Sequence, residues 1–349
     1  MIKLRYVTDN TAVLIFTPIN RKYLTGFSSS LGYLLLTKEE NVLFVDGRYY
    51  EAAMSLVTDV KVVLIKNIYE QINELLKKAN IEKLLIETEN EISLLSSLKA
   101  KLKVKVIPSE PLSNRLLDLR SVKSKKEVDN IIEAQRIAEK AFEDILEYIK
   151  VGMTEKQIAA TLNYKMMCYG AENPSFDTIV VSGKNSSLPH GVPTEKKIEK
   201  GDFITMDFGA TYNGYCSDMT RTVAVGFTTE EMKNVYNTVL TAQKSAEEAV
   251  KAGVLCSDVD KAAREVIKNA GYGEYFCHST GHGIGLFIHE RPTVSSNSKG
   301  VKLRAGQVIS NEPGIYLPQK FGVRIEDMLF VNKNGCKNLT KAPKDLIIL

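Results

Sequence analysis

The four histidines of this 349-residue chain lie within one hundred consecutive residues, among carboxylates and glycine-rich turns. Histidine and carboxylate side chains transfer protons and bind metal ions, so their concentration in one stretch predicts a functional site there. A histidine that served only packing or solubility would be spread along the chain. The four are His190, His278, His282 and His289.

Two aspartates are predicted to face each other across a β-hairpin. In the strand-like segment FITMDFGA, alternation places Asp207 on the face opposite to the apolar side chains. Asn213-Gly214 is a strong hairpin signal, and a two-residue turn there pairs residue 209 with 218 and 207 with 220. Asp218 then lies on the same face as Asp207, about 7–8 Å away between Cα atoms. One or two cations would relieve the repulsion between these carboxylates.

Three further residues extend this acidic pair. His282 stands in GHGIG, where glycines leave the backbone free to approach a ligand closely. Glu312 opens EPGIY, and the strand-like segment GVRIEDMLFV places Arg324 and Glu326 on one face. Most acidic side chains are solvated surface, but charges on apolar strands are costly when unpaired. The candidate set of four carboxylates and one imidazole is Asp207, Asp218, His282, Glu312 and Glu326.

This set predicts a centre with two metal ions. Two divalent cations balance four carboxylate charges, and an oxygen-rich set with one nitrogen suits Mn²⁺, Co²⁺, Fe²⁺ or Mg²⁺ better than thiolate-rich zinc chemistry. Two metals about 3.5–4 Å apart would share a water, lower its pKa and polarise a substrate carbonyl. The implied reaction is hydrolysis.

The elements that position these residues form a repeated pattern. An amphipathic helix from about Ser124 to Lys150 is followed by Gly152 and by a capping box at Thr154, which opens the next helix. A second pair runs from about Thr229 to Lys251 and from Ser257 to near Gly271. Each pair precedes a strand of the form G-x-[F/V]-I-[S/T]-x-[D/E], beginning at Gly201 and Gly306. We predict two α-α-β-β halves about a pseudo-twofold axis, although a glycine before an apolar strand is common.

The N-terminal part of the chain has a different character. Between residues 11 and 107, six strand-like apolar runs alternate with helical patterns at 68–78 and 92–99, which predicts an α/β layer domain. Pro108 and Pro111 end the pattern, and a linker or docking segment follows to about residue 120. We therefore divide the chain into domains 1–120 and 121–349.

Composition excludes several classes of protein. The hydrophobic content of 44% and charged content of 25% are typical of a globular protein rather than a disordered one. The net charge of +4 has no long basic block, so no nucleic-acid partner is expected. No apolar run reaches the length of a membrane span and no leader is apparent, so we expect a cytoplasmic protein without a membrane partner. The five cysteines contain no CxxC and are expected to be reduced.

The order of these motifs resembles one metallopeptidase family. Asp-x10-Asp, TGHGIG, NEPGIY and RIED resemble the pita-bread family that contains methionine aminopeptidase, Xaa-Pro aminopeptidase and Xaa-Pro dipeptidase (prolidase). YLTGF at 23–27 and FVDGRYY at 44–50 resemble the creatinase-like N-terminal domain of the Xaa-Pro enzymes. The resemblance covers nearly the whole chain and implies an α+β fold, in which a small creatinase-like domain precedes a pita-bread catalytic domain.

The resemblance also implies roles for individual residues. The five residues of the candidate set match the metal ligands, with Asp218 and Glu326 in bridging positions. His190 in LPHGVP and His289 in IHERP match histidines that contact substrate and stabilise the transition state, and Glu312 would move the proton. On the substrate side, His278, Tyr316 and Arg324 match residues of the Xaa-Pro branch. His278 is equally compatible with a structural role, and Arg324 could hold Glu326 or form a plain ion pair.

The function that these expectations favour is an Xaa-Pro aminopeptidase with two divalent ions. We take Mn²⁺ as the expected metal, with Co²⁺, Fe²⁺ or Zn²⁺ as alternatives. The substrate would be a peptide with proline in its second position. Xaa-Pro dipeptidase is the alternative, and a metal-free peptide-binding module of the same fold is the non-enzyme alternative, which the intact ligand set disfavours. Relatives of this type form homodimers or larger homo-oligomers, and we expect the same here, with the N-terminal domain restricting access to the site.

Overall fold

A computed structural model of the chain describes residues 4–89 and 91–349. Internal contacts divide the chain into two compact units, Met1–Leu119 and Arg120–Leu349. Within the described ranges, no helix combines the length and the apolar character that crossing a membrane requires.

The first unit is built on a mixed six-stranded sheet with strand order β4-β3-β2-β1-β5-β6. β1 pairs in parallel with β5 and antiparallel with β2, so the sheet combines both kinds of pairing. The six predicted apolar runs form its strands, which are Thr11–Ile15 (β1), Gly32–Leu36 (β2), Asn41–Val45 (β3), Lys61–Leu64 (β4), Lys83–Ile86 (β5) and Lys105–Pro108 (β6).

Helices cover both faces of this sheet. Alternate residues of β1 point to opposite sides: Leu14 packs in the core that contains Ile72 of α3, and Val13 in the core that contains Leu112 and Leu116 of α5. The α/β layer prediction is therefore confirmed. The helices are Pro18–Thr25 (α1), Tyr50–Leu56 (α2), Ile68–Lys78 (α3), Ile92–Lys101 (α4) and Glu110–Ser121 (α5).

The segment before residue 120 was predicted as a linker or a docking segment, and the linker alternative is wrong, because most of the segment forms helix α5. Pro111 occupies the first turn of α5, where a backbone N–H has no intrahelical acceptor and proline is tolerated. The two prolines mark the start of a helix rather than the end of structure. α1 and α2 were also not predicted; each is at most 8 residues long and too short to display a clear helical period.

The second unit contains two pairs of helices, and within each pair the helices follow one another in the chain. Capping boxes open the first pair, at Ser124 with Glu127 and at Thr154 with Gln157, as the sequence predicted for Thr154. The last helix begins at Cys256 instead of after Ser257. The helices are Lys125–Tyr148 (α6), Glu155–Cys168 (α7), Glu230–Ala249 (α8) and Cys256–Asn269 (α9).

Two larger sheets of the second unit follow these helix pairs, with orders β12-β9-β8 and β14-β13-β15-β18-β19. Short 3₁₀ helices lie at Gly183–Ser187 and Gly273–Tyr275. The strands are Asn173–Pro174 (β7), Ile179–Ser182 (β8), Phe203–Phe208 (β9), Ala210–Tyr212 (β10), Tyr215–Cys216 (β11), Met219–Ala224 (β12), Gly281–Gly283 (β13), Glu290–Val294 (β14), Val308–Asn311 (β15), Gly314–Leu317 (β16), Phe321–Arg324 (β17), Asp327–Val331 (β18) and Cys336–Asn338 (β19).

The two halves of the second unit use the same backbone hydrogen bonds. Gly152 donates to Ile198 O in the first half, and Gly253 donates to Leu303 O in the second. Gly201 and Gly306, which precede the long strands, have φ values of 88° and 91°, a left-handed conformation that favours glycine. These matching contacts support the predicted pseudo-twofold repeat. They also place the acids at the strand ends, Asp207 and Glu312, in equivalent positions.

Each helix pair packs against one face of its own sheet. Phe142 of α6 and Leu162 of α7 share a core with Ile204, Met206 and Phe208 of β9. α8 and α9 pack in the same way against β15 and β18. Because side chains alternate along a strand, the polar residues of β9 are turned to the face opposite the helices.

The segment GVRIEDMLFV was predicted as a single strand, and this is wrong. β17 ends at Arg324 and pairs with β16, whereas β18 begins at Asp327 and pairs with β15. Between them, Glu326 donates its backbone N–H to Thr220 O at 3.1 Å. The chain therefore passes from one sheet to another at Ile325 and Glu326, and alternation within one strand does not decide where Glu326 points.

Candidate metal centre

The hairpin around Asn213-Gly214 sets the position of the first acid pair. Both turn residues have positive φ, 48° and 77°, as a two-residue hairpin turn of type I′ requires. Asp207 lies opposite Thr220, which is the register that the sequence predicted. The strands approach closely at Gly209, where a Cβ would lie 1.9 Å from Ser217 O. A side chain at this point would separate the two acid-bearing strands.

His282 is held by close packing of neighbouring strands. Its backbone N–H donates to Ser310 Oγ at 3.0 Å. A Cβ on Gly281 would lie 2.1 Å from Ser310 O, and one on Gly283 would lie 2.2 Å from Arg291 O. These glycines therefore admit the adjacent strands rather than a ligand, which corrects the sequence interpretation of GHGIG.

Three members of the candidate set converge closely. Asp218, His282 and Glu326 each offer a ligand atom, and these atoms lie within 4.8 Å of one another. His282 Nε2 lies 3.5 Å from Asp218 Oδ2 and 3.4 Å from Glu312 Oε1. Ser310 Oγ donates to the same Glu312 oxygen at 3.2 Å. Four of the five predicted residues therefore lie close together. They are Asp218, His282, Glu312 and Glu326.

Arg324 binds the fifth residue, Asp207. Its Nη2 donates to Asp207 Oδ2 at 2.7 Å in an ion pair whose side chains are almost fully buried. The predicted Arg324–Glu326 interaction is not the one that forms. Glu326 instead accepts from the Thr220 hydroxyl at 2.8 Å, and the Arg324 Nε donates to the same hydroxyl at 3.0 Å. The change of sheet after Arg324 explains the difference, since the two side chains do not share one strand face.

Burial and the repulsion between neighbouring carboxylates raise the pKa values of three of the acids. The pKa of Asp218 is raised well above its ordinary value, first by burial and then by the charges of Glu326 and Asp207. Burial raises the pKa of Glu312 to about 8. The pKa of Glu326 is likewise raised, by burial and then by Glu312 and Asp207. Burial, followed by the neighbouring His289, lowers the pKa of His282 to about 4, so its ring is neutral and able to bind a metal.

A hydrogen-bonded chain leads away from Arg324. Arg324 Nη1 donates to the Tyr316 hydroxyl at 2.8 Å, and that hydroxyl lies 2.8 Å from His278 Nε2. His278 Nδ1 lies 2.8 Å from Ser279 O, which can only accept, so we assign the proton to Nδ1. The tyrosine then donates to Nε2. Burial lowers the pKa of His278 to about 4, consistent with a neutral ring.

The two remaining histidines are exposed. The ring of His289 lies 4.4 Å from that of His282 between centroids, with the planes at 72°. Burial lowers the pKa of His289. His190 lies in a turn that follows the 3₁₀ helix Gly183–Ser187. Both histidines can therefore meet a ligand that approaches from solvent.

Comparison with known proteins identifies the family. The profile of metallopeptidase family M24 matches residues 129–333, and that of the creatinase/prolidase N-terminal domain matches residues 9–122. The chain belongs to metallopeptidase family M24. It is 42% identical to a Xaa-Pro dipeptidase of Pyrococcus furiosus over 98% of this chain and 97% of that protein.

Solved structures are also similar to this chain. The structure of a Xaa-Pro dipeptidase from Bacillus anthracis has a TM-score of 0.93 and 41% identity, covering 97% of this chain and 95% of that one. That of an X-Pro aminopeptidase from Thermotoga maritima MSB8 has a TM-score of 0.91 and 38% identity, covering 97% and 98%. The predicted fold, a creatinase-like domain before a pita-bread domain, is thereby confirmed.

The candidate ligand set of four carboxylates and one imidazole fits divalent metal ions. Asp207 Oδ1 and Glu326 Oε1 are buried acceptor atoms to which no group in residues 4–89 and 91–349 donates a hydrogen bond. An unsatisfied buried carboxylate oxygen is costly, and a cation satisfies such an atom while it balances the clustered charge. The oxygen-rich donor set with one imidazole is compatible with the expected Mn²⁺.

Metal-free protein is therefore expected to lose stability as pH rises. The pKa of Glu312 rises from 4.5 to about 8 on folding, so the folded chain holds this proton where the unfolded chain has released it. His278 and His282, whose pKa values fall, destabilise the fold only as pH drops below about 6.5. Between pH 6.5 and 8, the melting temperature should fall by about 2–4 °C, given ~1.4 kcal/mol per proton and pH unit.

Thermal melts of chelator-treated protein across this range would measure the effect. Loading with Mn²⁺ should abolish the decline, because bound cations keep the carboxylates ionised in the folded state. A melting temperature that rises with pH in the metal-free protein would contradict the arrangement of the acids.

The sequence did not reveal several residues that hold the candidate ligands. Thr220 supports Glu326, and its place opposite Asp207 follows from the predicted hairpin register. Ser310 contacts both His282 and Glu312. The buried Arg221 donates to Glu326 O at 2.6 Å and to Asp327 Oδ1 at 2.8 Å. Arg221 carries no sequence signal, since Glu326 and Asp327 lie more than one hundred residues away from it.

Proposed function

We propose that the chain is an Xaa-Pro dipeptidase, a prolidase that cleaves dipeptides whose second residue is proline. The near full-length similarity to proteins named Xaa-Pro dipeptidase from Pyrococcus furiosus and Bacillus anthracis supports this choice. The sequence favoured an Xaa-Pro aminopeptidase and left the dipeptidase as the alternative. The names of these similar proteins favour the dipeptidase.

The observation that carries the hydrolytic function is the buried acidic cluster with its two unsatisfied carboxylate oxygens. We assign two divalent ions to it, which five residues would hold, with Asp218 and Glu326 in the bridging roles that the resemblance implies. When bound, such ions would supply an activated water and would polarise the scissile carbonyl. The ligands are Asp207, Asp218, His282, Glu312 and Glu326.

The protein side chains supply proton transfer and charge stabilisation. Glu312 is assigned as the group that takes the proton from the attacking water and passes it to the proline nitrogen as that bond breaks. Glu312 Oε1 lies 3.4 Å from His282 Nε2 and accepts from Ser310 Oγ, and these contacts orient the carboxylate. His289 and His190, both accessible, are assigned as donors to the oxygen of the scissile carbonyl, where negative charge develops.

Arg324, Tyr316 and His278 are assigned to the substrate side of the site. Their hydrogen-bonded chain supports a shared role, since Arg324 joins Asp207 to Tyr316 and Tyr316 joins Arg324 to His278. Direct contact of these three with substrate stays a prediction. The identity of the metal and the homodimeric state also stay predictions.

Substrate length tests the dipeptidase assignment. Protein loaded with Mn²⁺ would be assayed on an Xaa-Pro dipeptide and on the matched Xaa-Pro-Xaa tripeptide. We expect hydrolysis of the dipeptide, with little or none of the tripeptide. Hydrolysis of neither peptide would contradict both candidate activities.

Xaa-Pro aminopeptidase is the second candidate. The similarity to the X-Pro aminopeptidase structure from Thermotoga maritima MSB8 supports it. In the same assay, an aminopeptidase would release the N-terminal residue of the tripeptide at a rate comparable to, or above, that for the dipeptide. The ratio of the two kcat/KM values therefore separates the candidates.

His289 is expected to act on the substrate and not as a metal ligand. The His289→Ala variant should keep its bound metals while kcat falls by roughly 10²–10³-fold, the cost of losing one oxyanion donor. Metal analysis and steady-state kinetics on the same preparation would measure both quantities. Loss of metal from this variant, or an unchanged kcat, would argue against the role.

A further inference from the structure

Glu155 is a fully buried carboxylate at the start of α7, and one segment of the chain holds both of its oxygens. Oε1 accepts from the N–H of Ser182 at 2.7 Å, from its hydroxyl at 2.9 Å, and from the Asn185 amide at 3.2 Å. Oε2 accepts from the N–H and hydroxyl of Thr194 at 2.9 and 2.6 Å, and from the Asn185 amide at 3.3 Å. One side chain thus joins both ends of segment 182–194.

The same segment carries His190. Its middle is held by β17, because Gly322 N donates to Ser186 Oγ at 2.8 Å and Arg324 Nη1 donates to Pro189 O at 3.1 Å. Gly322 has no room for a side chain, since a Cβ there would lie 2.1 Å from Ser186 O. His190 follows the anchored Pro189 directly. Two sets of contacts therefore fix the backbone position of His190. β17 holds the middle of the segment, and Glu155 holds its two ends.

We propose that Glu155 is a positioning residue that fixes segment 182–194 so that His190 meets the substrate. This inference rests on the role of His190 in the proposed function. The hydrogen bonds to the Glu155 carboxylate come from Ser182, Asn185 and Thr194, so its removal affects this segment first. Desolvating a carboxylate is costly, and here the compensating donors all come from the segment that is held.

The Glu155→Gln variant keeps the volume and replaces one acceptor oxygen by an amide that only donates. That amide would face N–H and hydroxyl donors, so one end of the segment would be released. We expect kcat/KM for an Xaa-Pro dipeptide to fall about 10–100-fold with the metal content unchanged, since displacement of a reacting group by about 1 Å costs up to ~10²-fold. The matched control is Glu195→Gln, whose exposed carboxylate accepts from Lys156 at the surface, and which should behave as wild type.

A double-mutant cycle separates positioning from a general structural role. If Glu155 acts through His190, Glu155→Gln should lower kcat/KM in the wild-type background and change it little in the His190→Ala background. The same fold-loss in both backgrounds would overturn the proposal. Thr194→Val removes one hydroxyl donor at an exposed position and provides a milder variant should Glu155→Gln fail to fold. It should show a smaller fall and the same dependence on His190.

Trypsin cleavage after Lys184 gives a measurement that does not depend on activity. Lys184 is exposed within the segment, and cleavage there requires the segment to leave its anchored path. Mass spectrometry should find faster cleavage at this bond in Glu155→Gln and Thr194→Val than in wild type and Glu195→Gln. Unchanged cleavage together with unchanged kcat/KM in both variants would overturn the proposal. If the wild-type protein did not hydrolyse Xaa-Pro peptides, the proposed function would be refuted. The trypsin cleavage rates would still show whether Glu155 anchors segment 182–194.

Discussion

Replacing Asp218 by asparagine is expected to remove at least one metal ion and lower kcat for an Xaa-Pro dipeptide by about 10³-fold or more. Asp218 is buried, lies 3.5 Å from His282 Nε2 and is assigned a bridging position between the two ions. Loss of a residue that only orients a ligand costs roughly 10–100-fold in metal affinity or activity, so loss of a bridging charge should cost more. Metal analysis of dialysed protein and kinetics with added Mn²⁺ would measure both effects.

The matched control is Asp258→Asn, an exposed aspartate in the first turn of α9, which should leave metal content and kcat unchanged. Unfolding can be distinguished from metal loss by thermal melts. Because burial and neighbouring acids raise the pKa of Asp218, a neutral side chain there should not lower the melting temperature of the metal-free protein. Two bound ions with full turnover in Asp218→Asn would show that the assignment is wrong.

Glu312→Gln is expected to lower kcat by about 10²–10⁴-fold, the range of contributions from general acid–base catalysis. Glutamine keeps an oxygen that can accept from Ser310, which lies 3.2 Å from the present carboxylate, but it cannot carry a proton. We therefore expect metal content to fall less than in Asp218→Asn while kcat still collapses. Parallel metal analysis and kinetics of the two variants would measure this separation.

A Glu312→Gln enzyme that retained kcat within a few-fold of wild type would remove Glu312 from the proton-transfer step. Equal losses of metal in Glu312→Gln and Asp218→Asn would instead assign Glu312 only a ligand role. The pair of variants therefore tests the proton-transfer role separately from metal binding.

Much of the fold was predictable from the sequence because turns, helix caps and strand starts depend on a few consecutive residues. The register of the acid-bearing hairpin followed from Asn213-Gly214, whose positive φ values impose a two-residue turn. The capping box at Thr154 and the repeated Gly-strand pattern were likewise visible in a few consecutive residues. Helix α5 was missed because Pro111 was interpreted as a break, although a proline in the first helical turn is favourable.

The candidate site was predictable in composition but not in its contacts. The four acids and the one histidine were identifiable one by one, and the repeated strand pattern placed Asp207 and Glu312 at matching positions. Which acid Arg324 binds depended on the change of sheet at Ile325 and Glu326, which strand periodicity does not encode. The support from Thr220 and Glu155 depends on contacts between distant segments, and a single sequence carries no local sign of these.

The most direct test of the central claim is the number of metal ions that the cluster binds. Metal-free protein would be titrated with Mn²⁺ by calorimetry, and the bound metal would be counted after gel filtration by elemental mass spectrometry. We predict two ions per chain, with hydrolysis of the Xaa-Pro dipeptide appearing as the sites fill. Full hydrolysis by protein that holds no metal, or binding of two ions that survives the removal of Asp218, would contradict the account.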